Sequence, residues 1–155
     1  MKNEKRIMTG ILLLISIFIL LSGCEERNPV NETEKDLSKL LLTISTNKPS
    51  YQTNETVKII LTATNTGDSN ITLTFPDAQV ADFEILNEEE NQVYLWSSGR
   101  VFAQVITKIN IPSGETLKLL NETWVANSKE GNYTIRGWLQ LSPRVYSNVI
   151  TIRVQ

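Results

Sequence analysis

One residue of this chain has a type and a setting that suit covalent modification: Cys24, its only cysteine. It ends the tetrapeptide Leu-Ser-Gly-Cys at residues 21–24, in which two small residues precede the thiol. This is the lipobox pattern of exported lipoproteins, in which a peptidase cleaves before the cysteine and the thiol accepts a lipid. The pattern predicts that Cys24 is a lipidation site and the first residue of the mature protein.

The residues before Cys24 have the organisation of a secretory signal peptide. Three basic residues lie within the first six positions, and residues 11–21 form an apolar run broken only by Ser16. Such a run is too short to span a bilayer core and suits a signal peptide. We therefore expect residues 1–23 to be removed and the lipid to hold the protein at the extracytoplasmic face of the cell membrane. The alternative is a short transmembrane anchor with an incidental cysteine.

The absence of histidine from the chain limits the chemistry available to it. Histidine is the commonest general base and a frequent metal ligand, so Ser-His-Asp, Cys-His and His-based zinc or copper sites are excluded. The main acidic concentration, Glu88–Glu90, lacks the spacing of a calcium-binding loop and indicates a solvated turn. We therefore predict a protein that is not an enzyme, with no catalytic residue, no cofactor and no metal.

Charge and length point to one mildly acidic domain on a tether. Without residues 1–23 the formal net charge falls from −2 to −4, and no basic block suited to nucleic acid remains. Residues 24–38 are polar and charged, include Pro29 and show no apolar period, which predicts a flexible tether after the lipidated cysteine. Residues 39–155 have the length of a single domain.

The domain shows the period-two alternation of β-strands that have one buried face. The clearest runs cover residues 57–64, 71–75, 82–86, 133–140 and 149–154. Turn residues separate these runs at intervals of about 8–15 residues. The pattern predicts an all-β protein, an immunoglobulin-like antiparallel β-sandwich. Gly131-Asn132-Tyr133 at the start of a late strand resembles the tyrosine corner of such sandwiches, with a plain core tyrosine as the alternative.

Several segments, in this order and spacing, resemble the BsuPI family, named after an intracellular proteinase inhibitor of a Bacillus. The resemblance covers residues 57–68, 71–75, 81–85, 93–102, 111–115 and 131–137. Its most specific piece is Trp-Ser-x-Gly-x-x-Phe, at residues 96–102. The resemblance implies an immunoglobulin-like β-sandwich and a proteinase inhibitor. It transfers no inhibitory residue, and this chain departs from the intracellular namesake by carrying an export and lipidation signal.

The first candidate for contact with a partner is the loop formed by Ser97, Ser98, Gly99 and Arg100. It lies between two apolar runs, 93–96 and 101–106, and these predict a hairpin with the loop at its tip. A rigid exposed loop with a single arginine could enter a protease pocket as a substrate mimic. The alternative is an ordinary turn in which Gly99 supplies a positive φ and Arg100 is solvated.

Trp138 is the second candidate for partner contact. Tyr133, Ile135 and Leu139 occupy the other face of its strand, so on a sheet with one buried face Trp138 points outward. An exposed tryptophan would indicate a protein or carbohydrate partner. The alternative is that this strand is covered on both faces, or that Trp138 packs under the tether or a loop.

Possible glycosylation sites are the Asn-x-Thr sequons at Asn31, Asn54, Asn70, Asn121 and Asn132, which stay unmodified in lineages that lack the pathway.

Two functions remain open. The first is a lipid-anchored inhibitor that binds an extracytoplasmic protease, as the resemblance implies. The second is a non-inhibitory cell-surface module that binds or assembles other envelope proteins. Neither involves nucleic acid, and both contact the membrane through the lipid on Cys24.

Overall fold

A computed structural model describes residues 37–126 and 129–155. These ranges contain ten strands: β1 (Leu40–Thr46), β2 (Ser50–Tyr51), β3 (Thr56–Asn65), β4 (Ile71–Phe75), β5 (Ala81–Leu86), β6 (Gln92–Leu95), β7 (Thr107–Ile111), β8 (Thr116–Val125), β9 (Gly131–Leu139) and β10 (Val145–Val154). They form three sheets with the orders β1-β3-β8, β2-β10-β9-β5-β6 and β4-β7. Strands pair antiparallel except β2 with β10, which is parallel. The prediction of an all-β, immunoglobulin-like sandwich is confirmed.

The predicted alternation places the core between the three-stranded and the five-stranded sheet. Along β3, every second side chain from Val57 to Ala63 is fully buried, while the residues between them are half-buried or exposed. The five-stranded sheet presents Phe83 and Ile135 from its inner face. At Gly137 the two layers approach so closely that an added Cβ would lie 2.9 Å from Leu61 Cδ1. Glycine at this position therefore lets the layers pack at their observed separation.

Buried Asn65, at the end of β3, connects the three-stranded sheet to the β4-β7 pair. Its Nδ2 donates to the carbonyl oxygens of Ser69 (2.7 Å) and Ile111 (2.9 Å). Its Oδ1 accepts from the backbone N–H of Gly67 at 2.9 Å. The side chain thus gives a partner to backbone groups of the turn before β4 and to the carbonyl of Ile111 in β7, and the bond to Ile111 is buried.

The tyrosine-corner interpretation of Tyr133 is confirmed. Its hydroxyl donates to the carbonyl oxygen of Lys129, 2.6 Å away and four residues upstream, while its ring is buried. The ring also packs against Trp124 of β8, with 5.6 Å between the ring centroids. The corner therefore fixes the start of β9 to both layers of the sandwich.

Asn148 links β10 of the five-stranded sheet to β1 of the three-stranded sheet. It lies where the pairing of β10 with β9 is irregular, between Tyr146 and Val149. Its Oδ1 accepts from the backbone N–H of Ile44 (2.8 Å), and its Nδ2 donates to the carbonyl oxygen of the same residue (3.1 Å). The side chain thereby satisfies backbone groups of β1, an edge strand that would otherwise present them unpaired.

The predicted signal peptide, Cys24, Asn31 and all but the end of the predicted tether lie outside the described residues. Leu37, within the last positions assigned to the tether, is half-buried and packs against the core. Across the two described ranges, no helix has the length and apolarity needed to cross a membrane.

Candidate functional site

Residues 96–106, here called the crossover segment, connect β6 to β7. β6 pairs with β5 at the edge of the five-stranded sheet, whereas β7 pairs with β4 in the two-stranded sheet. Val101–Ile106 forms no strand. The prediction of a hairpin with its tip at residues 97–100 is therefore wrong, because the strands on either side belong to different sheets and do not pair.

A buried carboxylate holds the beginning of the crossover segment. The backbone N–H of Ser97 donates to Asp82 Oδ1 at 3.1 Å, and that of Trp96 donates to the carbonyl oxygen of Phe83 at 3.0 Å. Asp82 is 2% exposed and accepts two more hydrogen bonds, from the N–H of Phe83 (2.9 Å) and from Gln79 Nε2 (3.0 Å). These charge-assisted hydrogen bonds compensate for burying the carboxylate and fix where the segment leaves the sheet.

The predicted contact loop forms two consecutive turns on the surface. The N–H of Ser98 donates to the carbonyl of Leu95, and that of Arg100 donates to the carbonyl of Ser97, both at 3.0 Å. Ser98, Gly99 and Arg100 are exposed, and Gly99 has a φ of +76°. This φ lies in the left-handed region, which glycine adopts without steric cost. A role of the loop in partner contact stays a prediction.

The side chain of Arg100 is bound to the protein itself. Its guanidinium lies 4.4 Å from the centre of the Trp96 ring, and its Nε donates to the carbonyl oxygen of Trp96 at 2.8 Å. Its Nη2 lies 3.5 Å from Glu122 Oε2 on β8, across the open side of the sandwich. Entry of this guanidinium into a partner's pocket would require breaking these contacts.

Beyond Arg100, the crossover segment contains two residues that contact the rest of the protein and three exposed aliphatic residues. Phe102 packs against the same Trp96 ring, with 5.7 Å between the centroids. The carbonyl of Ala103 accepts from the N–H of Ala78 (3.0 Å) and of Val105 (2.9 Å). Three aliphatic side chains of the segment are exposed: Val101 at 97%, Val105 at 56% and Ile106 at 69%.

Of the two interpretations of Trp138, an exposed residue and a covered one, the structure agrees with the second. The residue does point away from the inner face of β9, but it is only 5% exposed. The Arg144 guanidinium lies 5.1 Å from the centre of the ring, and the Tyr146 ring packs beside it at 6.2 Å. Residues 144–146 thus cover the indole from the neighbouring strand, in line with the alternative of a strand covered on both faces.

Beside Trp138, the outer face of the five-stranded sheet carries a polar depression of about 360 Å³ that includes Asp82 and Glu84. Glu84 accepts from Arg136 Nε at 2.5 Å and from Gln92 Nε2 at 2.6 Å. Both carboxylates are thus engaged in hydrogen bonds within the protein. Within the described ranges, no three His, Cys, Asp or Glu side chains are grouped so that they could hold a metal ion.

The four sequons in the described residues all lie on the surface. The side chains of Asn54, Asn70, Asn121 and Asn132 are exposed. Asn132 also donates from Nδ2 to Glu88 Oε1 at 2.8 Å, and Asn70 Oδ1 accepts from the N–H of Ser113 at 3.4 Å. Glycosylation of these residues stays a prediction.

Sequence reasoning missed two features of this site. The first is the buried carboxylate of Asp82, and its place within an apolar strand, next to Phe83, is a signal that such a carboxylate can be buried. Val101–Ile106 read as a strand because it is apolar. An apolar run without strict alternation fits a buried strand as well, so the sequence held no sign that these residues form an irregular segment.

Comparison with known families gives one match that covers most of the domain. The sequence model of the BsuPI family, described as intracellular proteinase inhibitor, matches residues 44–144, about two thirds of the chain. The matched region contains the whole crossover segment and the strands that hold it. No curated protein matches the chain significantly.

Solved structures match in fold at low sequence identity. Spo0M, the sporulation control protein of Bacillus subtilis, is 11% identical with a TM-score of 0.51, and the match covers 76% of this chain and 49% of Spo0M. This chain thus spans about half the length of Spo0M. The CARDB domain of a Pyrococcus furiosus protein, solved with di-metal ions, is 14% identical with a TM-score of 0.44, covering 75% and 87% of the two chains.

Proposed function

The chain belongs to the BsuPI family of intracellular proteinase inhibitors, and on this basis we propose that it is a proteinase inhibitor exported from the cell and anchored to its membrane. The inhibitor acts by protein–protein binding and performs no chemistry on its target. The match of the family model over residues 44–144 is the observation that carries this proposal.

The described geometry supports binding through a preorganised surface segment. An inhibitor that occupies an active site must keep its contact residues ordered before binding, because ordering them afterwards costs affinity. The crossover segment meets this requirement over residues 97–103, since hydrogen bonds hold it at Ser97 and again at Ala103. The absence of histidine from the chain further supports a role in binding rather than catalysis.

The proposed location follows from the sequence before the domain. Residues 1–23 have the pattern of a signal peptide, and Cys24 ends a lipobox. A lipid on Cys24 would hold the inhibitor at the extracytoplasmic face of the membrane. Its target is then a protease of the envelope or of the surroundings, in contrast to the intracellular inhibitors after which the family is named.

Inhibition kinetics test the proposed activity. The full chain, purified in mild non-ionic detergent, is titrated against elastase-type, subtilisin-type and trypsin-type proteases, each with a small chromogenic substrate. We expect tight, stoichiometric inhibition of at least one of them, with the chain remaining intact on a gel. Rapid digestion of the chain without inhibition of any protease would contradict the proposal and favour the non-inhibitory binding module.

Substitution of the cysteine tests the proposed anchor. In cells that express the full chain, Cys24→Ser removes the thiol that would carry the lipid, so the variant should remain unprocessed or leave the membrane fraction. Ser22→Ala, in the same tetrapeptide, keeps a small residue and the thiol and should behave like the wild type. A Cys24→Ser protein that is still cleaved at the same bond and bound to the membrane would show that the lipobox interpretation is wrong.

A further inference from the structure

We infer that Val101 is the residue with which the crossover segment fills the primary pocket of the target, and that the target is a protease with an apolar pocket. This inference rests on the proposed function, and it assigns the contact to a different residue from the one that the sequence suggested, Arg100. It follows from three observations: the exposure of Val101, the fixing of both its neighbours and the engagement of Arg100.

The first observation is exposure. Val101 is 97% exposed, although valine is among the residues most often buried in folded proteins. Val105 and Ile106 expose more than half of their side chains within the next five residues. Three exposed aliphatic side chains therefore lie on one short irregular segment, and Val101 is the most exposed of them.

The second observation is that one indole fixes the residues on both sides of Val101. The Arg100 guanidinium lies over the Trp96 ring at 4.4 Å, and the Phe102 ring packs against it at 5.7 Å between centroids. Two residues further on, the carbonyl of Ala103 is held by the N–H of Ala78 at 3.0 Å. Val101 therefore projects from a backbone that is ordered before any partner binds, which keeps the entropic cost of binding low.

The third observation concerns charge. A protease that prefers a basic residue presents a carboxylate in its primary pocket, whereas one that prefers small aliphatic residues presents a shallow apolar pocket. The guanidinium of Arg100 is already engaged by Trp96 and Glu122. The side chain that projects freely is that of Val101, which is aliphatic and β-branched. It therefore fits a shallow apolar pocket.

The test asks whether one substitution exchanges the preference of the inhibitor for an elastase-type protease for one for a trypsin-type protease. The Ki for each protease is measured with the full chain in detergent. The wild type should inhibit an elastase-type protease more strongly than a trypsin-type protease. Val101→Lys should raise the Ki for the elastase-type enzyme by about 30-fold or more, the effect expected of an interface hot spot, and should lower the Ki for the trypsin-type enzyme. A gain of inhibition cannot result from unfolding, so it separates contact from stability.

Val149→Lys is the matched control, because Val149 is 59% exposed on β10 and lies outside the crossover segment. It should leave both Ki values within about threefold of the wild type.

If the wild type inhibits a protease and Val101→Lys inhibits it with the same Ki values, the contact lies elsewhere on the surface. In that case only this inference fails and the proposed function stands. Loss of elastase-type inhibition without any gain against trypsin would overturn the assignment to the primary pocket. If the wild type inhibits no protease, the proposed function fails and this inference fails with it.

Discussion

At the scale of single residues, several side chains stabilise the fold through polar contacts that apolar patterning does not reveal. Asn65 reads in the sequence as the first residue of an Asn-x-Gly-Asp turn, and it is fully buried. Its three hydrogen bonds join backbone groups of the turn before β4 to the carbonyl oxygen of Ile111 in β7. A turn motif in the sequence predicts a change of chain direction, but it does not show which distant carbonyl, here that of Ile111, a turn side chain will reach.

Removal of the Asn65 side chain should cost substantial stability. Asn65→Ala leaves the carbonyl of Ile111 without this partner at a buried site, and an unsatisfied buried group costs about 1–3 kcal/mol. We expect the free energy of unfolding in urea to fall by about 1–3 kcal/mol. Asn121→Ala, a change of the same kind at an exposed position, should stay within about 0.5 kcal/mol of the wild type. Equal values for the two variants would contradict the role assigned to Asn65.

Tyr133 and Trp138 lie in the same strand, but only the contact of Tyr133 is with a residue close to it in the sequence. A glycine two residues before a tyrosine at a strand start was enough to predict the Tyr133 corner, because the contact is local and spans four residues. Trp138 was correctly placed on the outer face, yet its exposure was not predictable. The residues that cover it are Arg144, just before β10, and Tyr146 of β10, and the register of β10 with β9 depends on the whole sheet.

At the scale of elements, strands with strict alternation were predictable and the connection between sheets was not. The runs at 57–64, 71–75, 82–86, 133–140 and 149–154 correspond to β3, β4, β5, β9 and part of β10. Residues 101–106 are apolar without alternation, and an apolar run alone does not distinguish a strand from an irregular segment whose aliphatic side chains are exposed. The hairpin prediction failed because strand partners are set by tertiary packing of the sheets.

The close approach of Gly137 in β9 to Leu61 in β3 predicts the effect of a larger residue between the two sheets. Gly137→Ala places a methyl group 2.9 Å from Leu61 Cδ1 and 3.2 Å from the carbonyl oxygen of Asp82, so the sheets or their side chains must shift. Overpacking of this kind costs about 1–3 kcal/mol, and we expect thermal unfolding to occur at a clearly lower temperature.

Gly99→Ala is an informative comparison for this variant, because an added Cβ meets no atom within 4 Å there and only the positive φ is unfavourable. It should cost about 1 kcal/mol and leave the packing of the core unchanged. Near-ultraviolet circular dichroism should therefore change for Gly137→Ala and not for Gly99→Ala. An unaltered melting temperature for Gly137→Ala would show that Leu61 can move aside without cost.

At the scale of the whole molecule, an immunoglobulin-like domain of the BsuPI family follows a segment for which the sequence predicts a lipobox. The sandwich holds the crossover segment by its two ends, from β6 in one sheet to β7 in another. The fold class and the family could be predicted from the sequence because alternation, turns and the Trp-Ser-x-Gly-x-x-Phe piece are local features. The surface that binds a partner could not, because it depends on which side chains the assembled sheets leave exposed.

The central claim is that the chain inhibits a protease by occupying its active site, and the most direct measurement compares binding to a free and a blocked enzyme. The protease that the chain inhibits best is divided into two samples, one of which carries a small covalent inhibitor in its active site. Binding of the full chain is then measured by titration calorimetry in detergent. The account predicts a one-to-one complex with the free enzyme and no measurable heat with the blocked one. Equal binding to both samples, or to neither, would contradict it.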